Sequence, residues 1–354
     1  MNKEILDLYT DYLIGSFSAI TATGLSELTE GQMSHDQITR FLSKEEYKSK
    51  HLWLMVKKTV RKIESEDGVI IIDDTIEEKP YTDENEIICW HFDHSINRNV
   101  KGINLVNCVY CSKELTMPIG FEIVTKTKIV IDKKTGKPKR KSEKTKNDIF
   151  REMIKAAHQN KLLYKYVLAD IWFGSVENME FIKLELKKDF IFPLKSNRLL
   201  AASYKDKLKG KFFAVEEFEL ELGQVYEVYI QGLNFPVLLT KQIFKNKDGS
   251  QGIQYLVTSD LTLSAIGITT IYKKRWKVEV FHKSLKSNLG LAKSPTHTKV
   301  TQNNHFFSSI VAFYKLECLA GKRKLNHFAL KSKLYFKAMQ ASLKQLEILS
   351  HSRA

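Results

Sequence analysis

The feature that most constrains the fold of this chain is a run of Val and Ile at residues 69–72. A continuous β-branched run is typical of a strand that is buried on both faces of a sheet. Asp67 and Gly68 interrupt any helix before the run, and Asp73 and Asp74 follow it. Such a strand needs cover on both sides, so the sequence predicts an α/β fold in which helices flank a sheet.

Further strands are predicted at about 87–93, 103–112 and 117–124, because these segments are apolar and are separated by turn residues. Another short apolar strand is predicted at 166–169. Residues 190–260 then change character, since alternating or continuous apolar segments with turns between them predict an antiparallel β block. The rest of the sheet is therefore expected to be mixed.

Residues 1–66 are predicted to be helical, with capping boxes that start at Ser34 and Ser43. The second of these helices, 44–64, is rich in Lys and Arg, and a short helix followed by a longer one resembles a helix-turn-helix. A solvated basic face on an ordinary helical pair explains the same pattern. DNA contact by this region is therefore one of two open interpretations.

The chain carries 56 Lys and Arg against 41 Asp and Glu, a formal net charge of +15. An excess of positive charge destabilises a compact protein by self-repulsion unless an anionic partner compensates it. Nucleic acid is the expected partner. A membrane surface is disfavoured, because no segment combines a basic face with an exposed aromatic and Leu face.

No apolar run approaches the roughly 20 residues of a membrane span. Four cysteines are too few for a disulfide framework in a chain of 354 residues, so a cytoplasmic protein is expected. Cys108 and Cys111 form a Cys-x-x-Cys pair. The second pair of a zinc knuckle is absent, which favours buried small side chains over a zinc site.

The densest basic segment is 125–146, with ten Lys or Arg against two acids. Gly136 and Pro138 near its centre predict a solvated loop or hairpin. Flexible lysines offer charge but no fixed bidentate geometry, so we expect contacts with DNA phosphates and not with bases. The residues assigned to this contact are Lys133, Lys134, Lys137, Lys139, Arg140 and Lys141.

The most informative segment is 272–289, where polar side chains recur at spacings that place them on one stripe of a helix. They are Tyr272, Arg275, Glu279, His282 and Lys286. Much of the remaining surface is apolar, with Trp276, Val280, Phe281, Leu285 and Leu289. We therefore expect a helix that is buried on its other sides and presents the polar stripe to a cleft. An exposed face of ion pairs is the alternative.

The pattern Tyr-x2-Arg-x3-Glu-x6-Lys at 272–286 resembles the Y-R-E-K signature of bacterial insertion-sequence transposases of the DDE class. Two further motifs support the resemblance. The Asp-Asp-Thr at 73–75 is similar to that family's first acidic motif, and the Asp-Ile-Trp-Phe at 170–173 is similar to its Asp-x-x-Phe motif. The family has an RNase H-like domain that is interrupted by a β-rich insertion. The resemblance implies that the β block at 190–260 is this insertion.

The resemblance implies that Asp73, Asp170 and Glu279 are the catalytic carboxylates and bind two Mg²⁺ ions, with Mn²⁺ as a substitute. Phosphodiester cleavage by two divalent ions needs carboxylates from separate elements to clamp both metals. Asp74 is the alternative to Asp73, because neighbouring residues on a strand point to opposite faces. Asp73 is favoured, since Thr75 lies on the same face and the Asp-x-Thr form matches the family better.

The polar stripe also supplies predicted DNA contacts. Arg275 and Lys286 lie within two helical turns of Glu279 and would hold phosphates on either side of the scissile bond. Tyr272 could donate a hydrogen bond to a phosphate oxygen. His282 is either a DNA contact or a packing residue.

Several members of that family stack a flipped base on a Trp of the β insertion. The four Trp of this chain, Trp53, Trp90, Trp172 and Trp276, all lie outside 190–260. An aromatic residue of the block would have to stack instead, for example Tyr204, Phe212 or Phe213.

The predicted fold is an α/β, RNase H-like mixed sheet flanked by helices and interrupted by an antiparallel β insertion, with helical N- and C-terminal regions. The predicted parts are a helical DNA-binding region (1–66), the first part of the catalytic core (67–190), the insertion (191–262), the last core helix with Glu279 (263–300) and a helical region (301–354).

The predicted function is cleavage of double-stranded DNA at insertion-sequence ends and strand transfer into target DNA, by a nucleoid-associated protein. A catalytically silent DNA-binding repressor and a nuclease that cuts without joining are the alternatives. Two ends must be joined to one target, so a homodimer is expected on DNA. The apolar residues of 303–349 either pair the subunits or pack on the chain's own core, and they include Phe306, Phe307, Ile310, Phe313, Leu316 and Leu319.

Overall fold

The computed structural model describes residues 2–93, 96–133, 136–245 and 249–351. The helices are α1 (Lys3–Gly15), α2 (Ala22–Leu28), α3 (His35–Ser43), α4 (Ser49–Ile63), α5 (Lys146–Gln159), α6 (Val176–Glu180), α7 (Tyr204–Leu208), α8 (Ala265–Lys273), α9 (Trp276–Asn288), α10 (Lys299–Arg323) and α11 (His327–His351). The first strands are β1 (Val69–Glu78), β2 (Cys89–Asp93), β3 (Arg98–Ser112), β4 (Leu115–Ile123), β5 (Lys128–Ile131) and β6 (Pro138–Lys141). The later ones are β7 (Tyr166–Ala169), β8 (Asp189–Leu194), β9 (Leu199–Ala201), β10 (Phe213–Ala214), β11 (Tyr226–Ile230), β12 (Val237–Lys245) and β13 (Gln251–Thr258).

The central strand is β1, and its four apolar residues at 69–72 are fully buried, as the sequence predicts. One edge of β1 pairs in parallel with β7, which pairs in parallel with β8. The other edge pairs antiparallel with β3, and β3 pairs antiparallel with β4. The strand order β4-β3-β1-β7-β8 confirms the RNase H-like mixed sheet flanked by helices.

The β block continues this same sheet. Beyond β8 the strands follow in the order β13, β12, β11, β9 and β10, all in antiparallel pairs. Strand β8 itself runs across the predicted boundary between residues 190 and 191. Because β8 belongs to both parts, the catalytic core and the block share one hydrogen-bonded sheet.

Two helices cover opposite faces of β1. Alternation along the strand points Asp73 and Asp74 to different sides. Asp73 faces α9 and its flanking Arg275, whereas Asp74 faces Lys146 at the start of α5. The long helix α10 packs against α1, α3, α4 and β4, which connects the N-terminal helices to the sheet. No helix in the described part of the chain combines the length and apolar character of a membrane span.

One of the two predicted capping boxes is confirmed. The Ser34 Oγ accepts from the Gln37 amide, and the Gln37 side chain accepts from the Ser34 amide, at the start of α3. The box predicted at Ser43 is wrong, because α3 runs through Ser43 and the next helix begins only at Ser49. The Ser49 hydroxyl instead bonds the backbone of Phe121 on β4.

Asn304 of α10 explains why the chain turns at residues 44–48. Its amide group donates to the carbonyls of Leu42 and Glu45 at 2.8 and 2.6 Å, and its carbonyl accepts from the Tyr47 amide at 2.8 Å. These contacts satisfy backbone groups that a continuing helix would have used. The turn is therefore set by a residue more than 250 positions away, which local sequence signals do not contain.

The apolar stripe of α10 packs on the chain's own core. Phe306, Phe307, Ile310, Phe313 and Leu316 are all buried, and Leu319 alone of the six predicted residues is partly exposed. These buried residues of 303–349 therefore pack on the chain's own core and are not available to pair two subunits.

Replacing Asn304 with Ala should lower the free energy of unfolding by roughly 2–4 kcal/mol, since it leaves the Leu42 and Glu45 carbonyls and the buried Tyr47 amide without partners. Urea unfolding followed by circular dichroism measures the change. Gln340→Ala, at an exposed site on α11, is the control and should change stability little. If Asn304→Ala lowers the free energy of unfolding no more than the control does, the assigned contacts of Asn304 are contradicted.

Candidate active site

Asp73 and Asp170 lie at matching positions on two neighbouring parallel strands. The preceding residues, Ile72 of β1 and Ala169 of β7, are paired in the sheet register. Strand β7 ends there, and Asp170 begins a short 3₁₀ turn in which its carboxylate accepts from the Ile171 amide at 2.6 Å. Adjacent strands are about 4.8 Å apart, so the two carboxylates start from neighbouring backbone positions.

Glu279 reaches this pair through Arg275. One guanidinium nitrogen of Arg275 lies 3.2 Å from Asp73 Oδ2, and the other donates to Glu279 Oε1. The Arg275 side chain is 17% exposed, so both contacts are largely shielded from water. One guanidinium therefore joins Asp73 to Glu279, and the negative charge of Asp170 is close enough to act on it as well.

The helix that carries the polar stripe is interrupted at this point. Helix α8 ends at Lys273 and α9 begins at Trp276, with Arg275 at the junction. The prediction that the apolar remainder is buried is half right. Phe281, Leu285 and Leu289 are buried, whereas Trp276 and Val280 are 63% and 47% exposed. Trp276 and Val280 lie one turn apart on the exposed face of α9, whereas Val278 between them is fully buried, and periodicity alone did not reveal which face is covered.

Burial is the main reason that the pKa of Asp73 is raised to about 7. Arg275 acts in the opposite direction, while Asp74 and Asp170 raise the pKa as neighbouring negative charges. A buried carboxylate beside a second one is an environment that a cation would stabilise. Its hard oxygen donors suit Mg²⁺ or Mn²⁺.

Within the described residues, no three Asp, Glu, His or Cys side chains converge closely enough to hold a metal ion. Arg275 accounts for this, since its guanidinium lies between Asp73 and Glu279. The donor set thus fits a divalent cation in its chemistry, and the guanidinium now supplies the positive charge.

Asp74 has other partners on the opposite face. Both of its oxygens lie 2.9 Å from Lys146 Nζ, and Asn104 donates to it at 2.6 Å. These contacts compensate the negative charge of Asp74 on the face of the strand opposite to Asp73. The geometry therefore groups Asp73, and not Asp74, with the other two acids.

Tyr272 and His282 are both buried beside the acids. The Tyr272 hydroxyl donates to the Ala169 carbonyl at 3.4 Å, one residue before Asp170, and burial raises the pKa of this phenol. The His282 Nε2 lies 3.1 Å from the amide nitrogen of Asn107, which is the cross-strand neighbour of Asp73. Burial, followed by the charges of Lys286 and Arg275, lowers the pKa of His282 to about 3. A neutral buried imidazole agrees with the packing interpretation of His282.

Lys286 lies further along the same face. Its ammonium donates to the Ile76 carbonyl at 2.6 Å. Beside it is Glu77, a buried acid that the sequence analysis missed; burial raises its pKa, and Lys286 and Lys79 lower it. The sequence contains a signal for Glu77, because residues 73, 75 and 77 lie on one face of the strand and Glu77 is therefore on the same side as Asp73.

The basic segment forms the predicted hairpin, with β5 and β6 both exposed and Gly136 in the left-handed region at φ +67°. Lys133, Lys137, Lys139 and Lys141 are exposed, and Arg140 lies 3.7 Å from Glu84. Lys134 lies outside the described residues. In the β block, Tyr204 and Phe213 are exposed and Phe212 is half-buried.

Protonation of Asp73 generates a pH prediction for the metal-free protein. Because the folded pKa of about 7 lies above the ordinary value of 3.8, Asp73 contributes stability at low pH that is lost as the pH rises through 7. Asp73→Asn should therefore raise the free energy of unfolding at pH 8 by roughly 2–4 kcal/mol, with a gain that shrinks toward pH 4.

Urea unfolding in EDTA at both pH values tests this. Asp74→Asn is the matched control and should give no gain, since Asp74 loses two favourable contacts. Equal gains at both sites, or none at Asp73, would refute the assignment.

Two family models match the sequence. One, described as DDE superfamily endonuclease, matches residues 2–208, and the other, described as transposase DDE domain, matches residues 120–314. Each match spans more than half of the chain. The first contains Asp73 and Asp170, and the second contains Asp170 and Glu279. No curated protein matches the sequence.

Proposed function

The chain belongs to the DDE superfamily of transposases and endonucleases, and on that premise we propose that it cleaves DNA at insertion-sequence ends and transfers the strands into target DNA by a cut-and-paste reaction. The observation that carries the proposal is that Asp73 and Asp170 follow paired residues of adjacent parallel strands, while Arg275 joins Asp73 to Glu279. An intact set of acids favours an enzyme over a silent DNA-binding repressor.

Asp73, Asp170 and Glu279 would hold two Mg²⁺ ions, with Mn²⁺ as a substitute. When bound, such ions activate the attacking oxygen and stabilise the leaving oxygen of a phosphodiester. Glu279 must leave the guanidinium to join the two aspartates. The same step frees Arg275 donors for a phosphate oxygen, which matches the geometry of a guanidinium well.

The remaining residues position the site and the substrate. Tyr272 fixes the end of β7 through the Ala169 carbonyl, and His282 supports Asn107 beneath Asp73. Lys286 adds a positive charge two turns beyond Glu279, where a second phosphate would lie. The net charge of +15 and the exposed lysines of the hairpin favour double-stranded DNA as the partner. We also propose that the protein is bacterial, cytoplasmic and nucleoid-associated, as the resemblance to insertion-sequence transposases implies.

Glu279→Gln should abolish Mg²⁺-dependent nicking and leave DNA affinity within about twofold, because it removes a metal-binding charge and keeps the side-chain volume. The assay incubates purified protein and Mg²⁺ with DNA that carries the sequences flanking its gene, and gel electrophoresis detects end-specific nicks and joined products. Glu114→Gln, at a fully exposed Glu, is the matched control and should nick normally.

Loss of binding in Glu279→Gln equal to the loss of nicking would make Glu279 a structural residue. Nicks without joined products would favour the nuclease alternative. Wild-type protein that never nicks would refute the proposed enzyme activity.

A homodimer on DNA is the second part of the proposal, and α11 is the surface that supports it. Apolar side chains on this helix recur at spacings of 3, 4 and 3 and remain exposed: Phe336 is 60%, Met339 44%, Leu343 54% and Leu346 61% exposed. This spacing is typical of a helix that packs along a partner helix. The pairing surface would thus lie in the second half of 303–349.

The variant Leu343→Glu with Leu346→Glu should convert the complex with end DNA from two protein chains to one, because it places charge in the proposed seam. Multi-angle light scattering measures the mass. Lys333→Glu with Lys344→Glu is the control on the same helix, at exposed polar sites. Cleavage and joining at full rate by a complex with one chain per end would rule the homodimer out.

A further inference from the structure

A cleft of about 960 Å³ lies beside the acidic cluster and is not used by the proposed chemistry. It opens between β2, the β5–β6 hairpin and the turn that follows Asp170. Trp90 and Phe92 line it from β2, Lys139 from the hairpin and Trp172 from the turn. Because Trp172 is two residues from Asp170, the cleft begins next to the carboxylates.

The aromatic side chains in this cleft are accessible to a ligand. Trp90 is 55% exposed, and Phe92 and Trp172 are each 44% exposed. The Lys195 ammonium lies 4.1 Å from the centre of the Trp172 ring, so a cation already contacts that indole. Flat aromatic surfaces of this kind stack well on nucleobases.

The cleft is also cationic. Five lysines and one acid, Asp132, are among its lining residues. Burial lowers the pKa of Lys126, and the neighbouring charges of Lys139 and Lys146 lower it as well, which shows that these ammonium groups repel one another. Part of this charge is compensated, since Lys144 pairs with Glu152 and Lys146 with Asp74. The remaining positive potential favours an anionic ligand.

His91 adds a polar group to the same wall. Its Nε2 is buried and has no hydrogen-bond partner among the described residues. Burial, with the charges of Lys126 and Lys146, lowers the pKa of His91 to about 3. The imidazole is therefore neutral at physiological pH.

We propose that this cleft holds unpaired nucleotides of the DNA strand next to the cleavage site, with a base stacked on Trp90 or Trp172 and phosphates on the lysines. The inference rests on the proposed function, because it takes the DNA substrate from there. Clefts of about 300–1,000 Å³ hold ligands of a few rings, so one or a few nucleotides fit and a duplex does not. Bases within a duplex already stack on each other, which leaves only unpaired bases for the indoles.

Binding of two DNA ligands in EDTA tests the proposal without cleavage. The first is a blunt duplex, and the second is the same duplex with three unpaired nucleotides at one end. Wild-type protein should bind the second about tenfold or more tightly, measured by fluorescence anisotropy. The unpaired DNA should also quench tryptophan fluorescence, which a merely structural role of Trp90 would not produce.

The variant Trp90→Ala with Trp172→Ala should lose this preference and keep its affinity for the blunt duplex. Trp90→Phe with Trp172→Phe should restore most of the preference, since a ring is retained. Trp276→Ala, an exposed indole outside the cleft, is the matched control and should keep the full preference.

A wild-type protein without the preference, or an Ala variant that keeps it, overturns the inference. A nicking assay on the blunt duplex separates the two proposals. If the protein nicks DNA but does not prefer the unpaired end, only the proposed role of the cleft is refuted. If it prefers the unpaired end but does not nick, the role of the cleft is supported and the proposed catalysis is refuted.

Discussion

The contact of Arg275 with Asp73 and Glu279 is the interaction on which the site depends. A carboxylate that is taken out of water loses its hydration, and only a close positive charge or a set of hydrogen bonds offsets that loss. Here one guanidinium serves two acids from different elements. It therefore joins the central strand to the helix pair α8 and α9.

The same contact explains why the acids are gathered without forming a preassembled metal site. Asp73 and Asp170 are placed by strand register, whereas Glu279 is placed by its arginine. A metal ion that enters the site must therefore compete with the guanidinium of Arg275 for these carboxylates. The protein can thus keep its acids together in the absence of metal, because the charge that balances them belongs to the chain.

Local signals were sufficient for much of this architecture. The apolar run at 69–72 predicted the central strand, and the spacing of Arg275 and Glu279 predicted that they share one face. The failures arise where distant residues decide. The turn at 44–48 depends on Asn304, and the exposure of Trp276 depends on which face of α9 the rest of the chain covers. The pairing of β8 with β13 joined the insertion to the core sheet, and no local pattern specifies which strand edges meet.

The position of α10 has a consequence for the order of folding. This helix packs on α1, α3 and β4, so the N-terminal helices complete their contacts only with residues that the ribosome adds after every strand of the sheet. Helices α1 and α3 therefore remain with apolar faces uncovered while the sheet is synthesised. Early and late parts of the chain then become stable together, and a product that stops before residue 299 leaves α1 and α3 without the surface on which they pack.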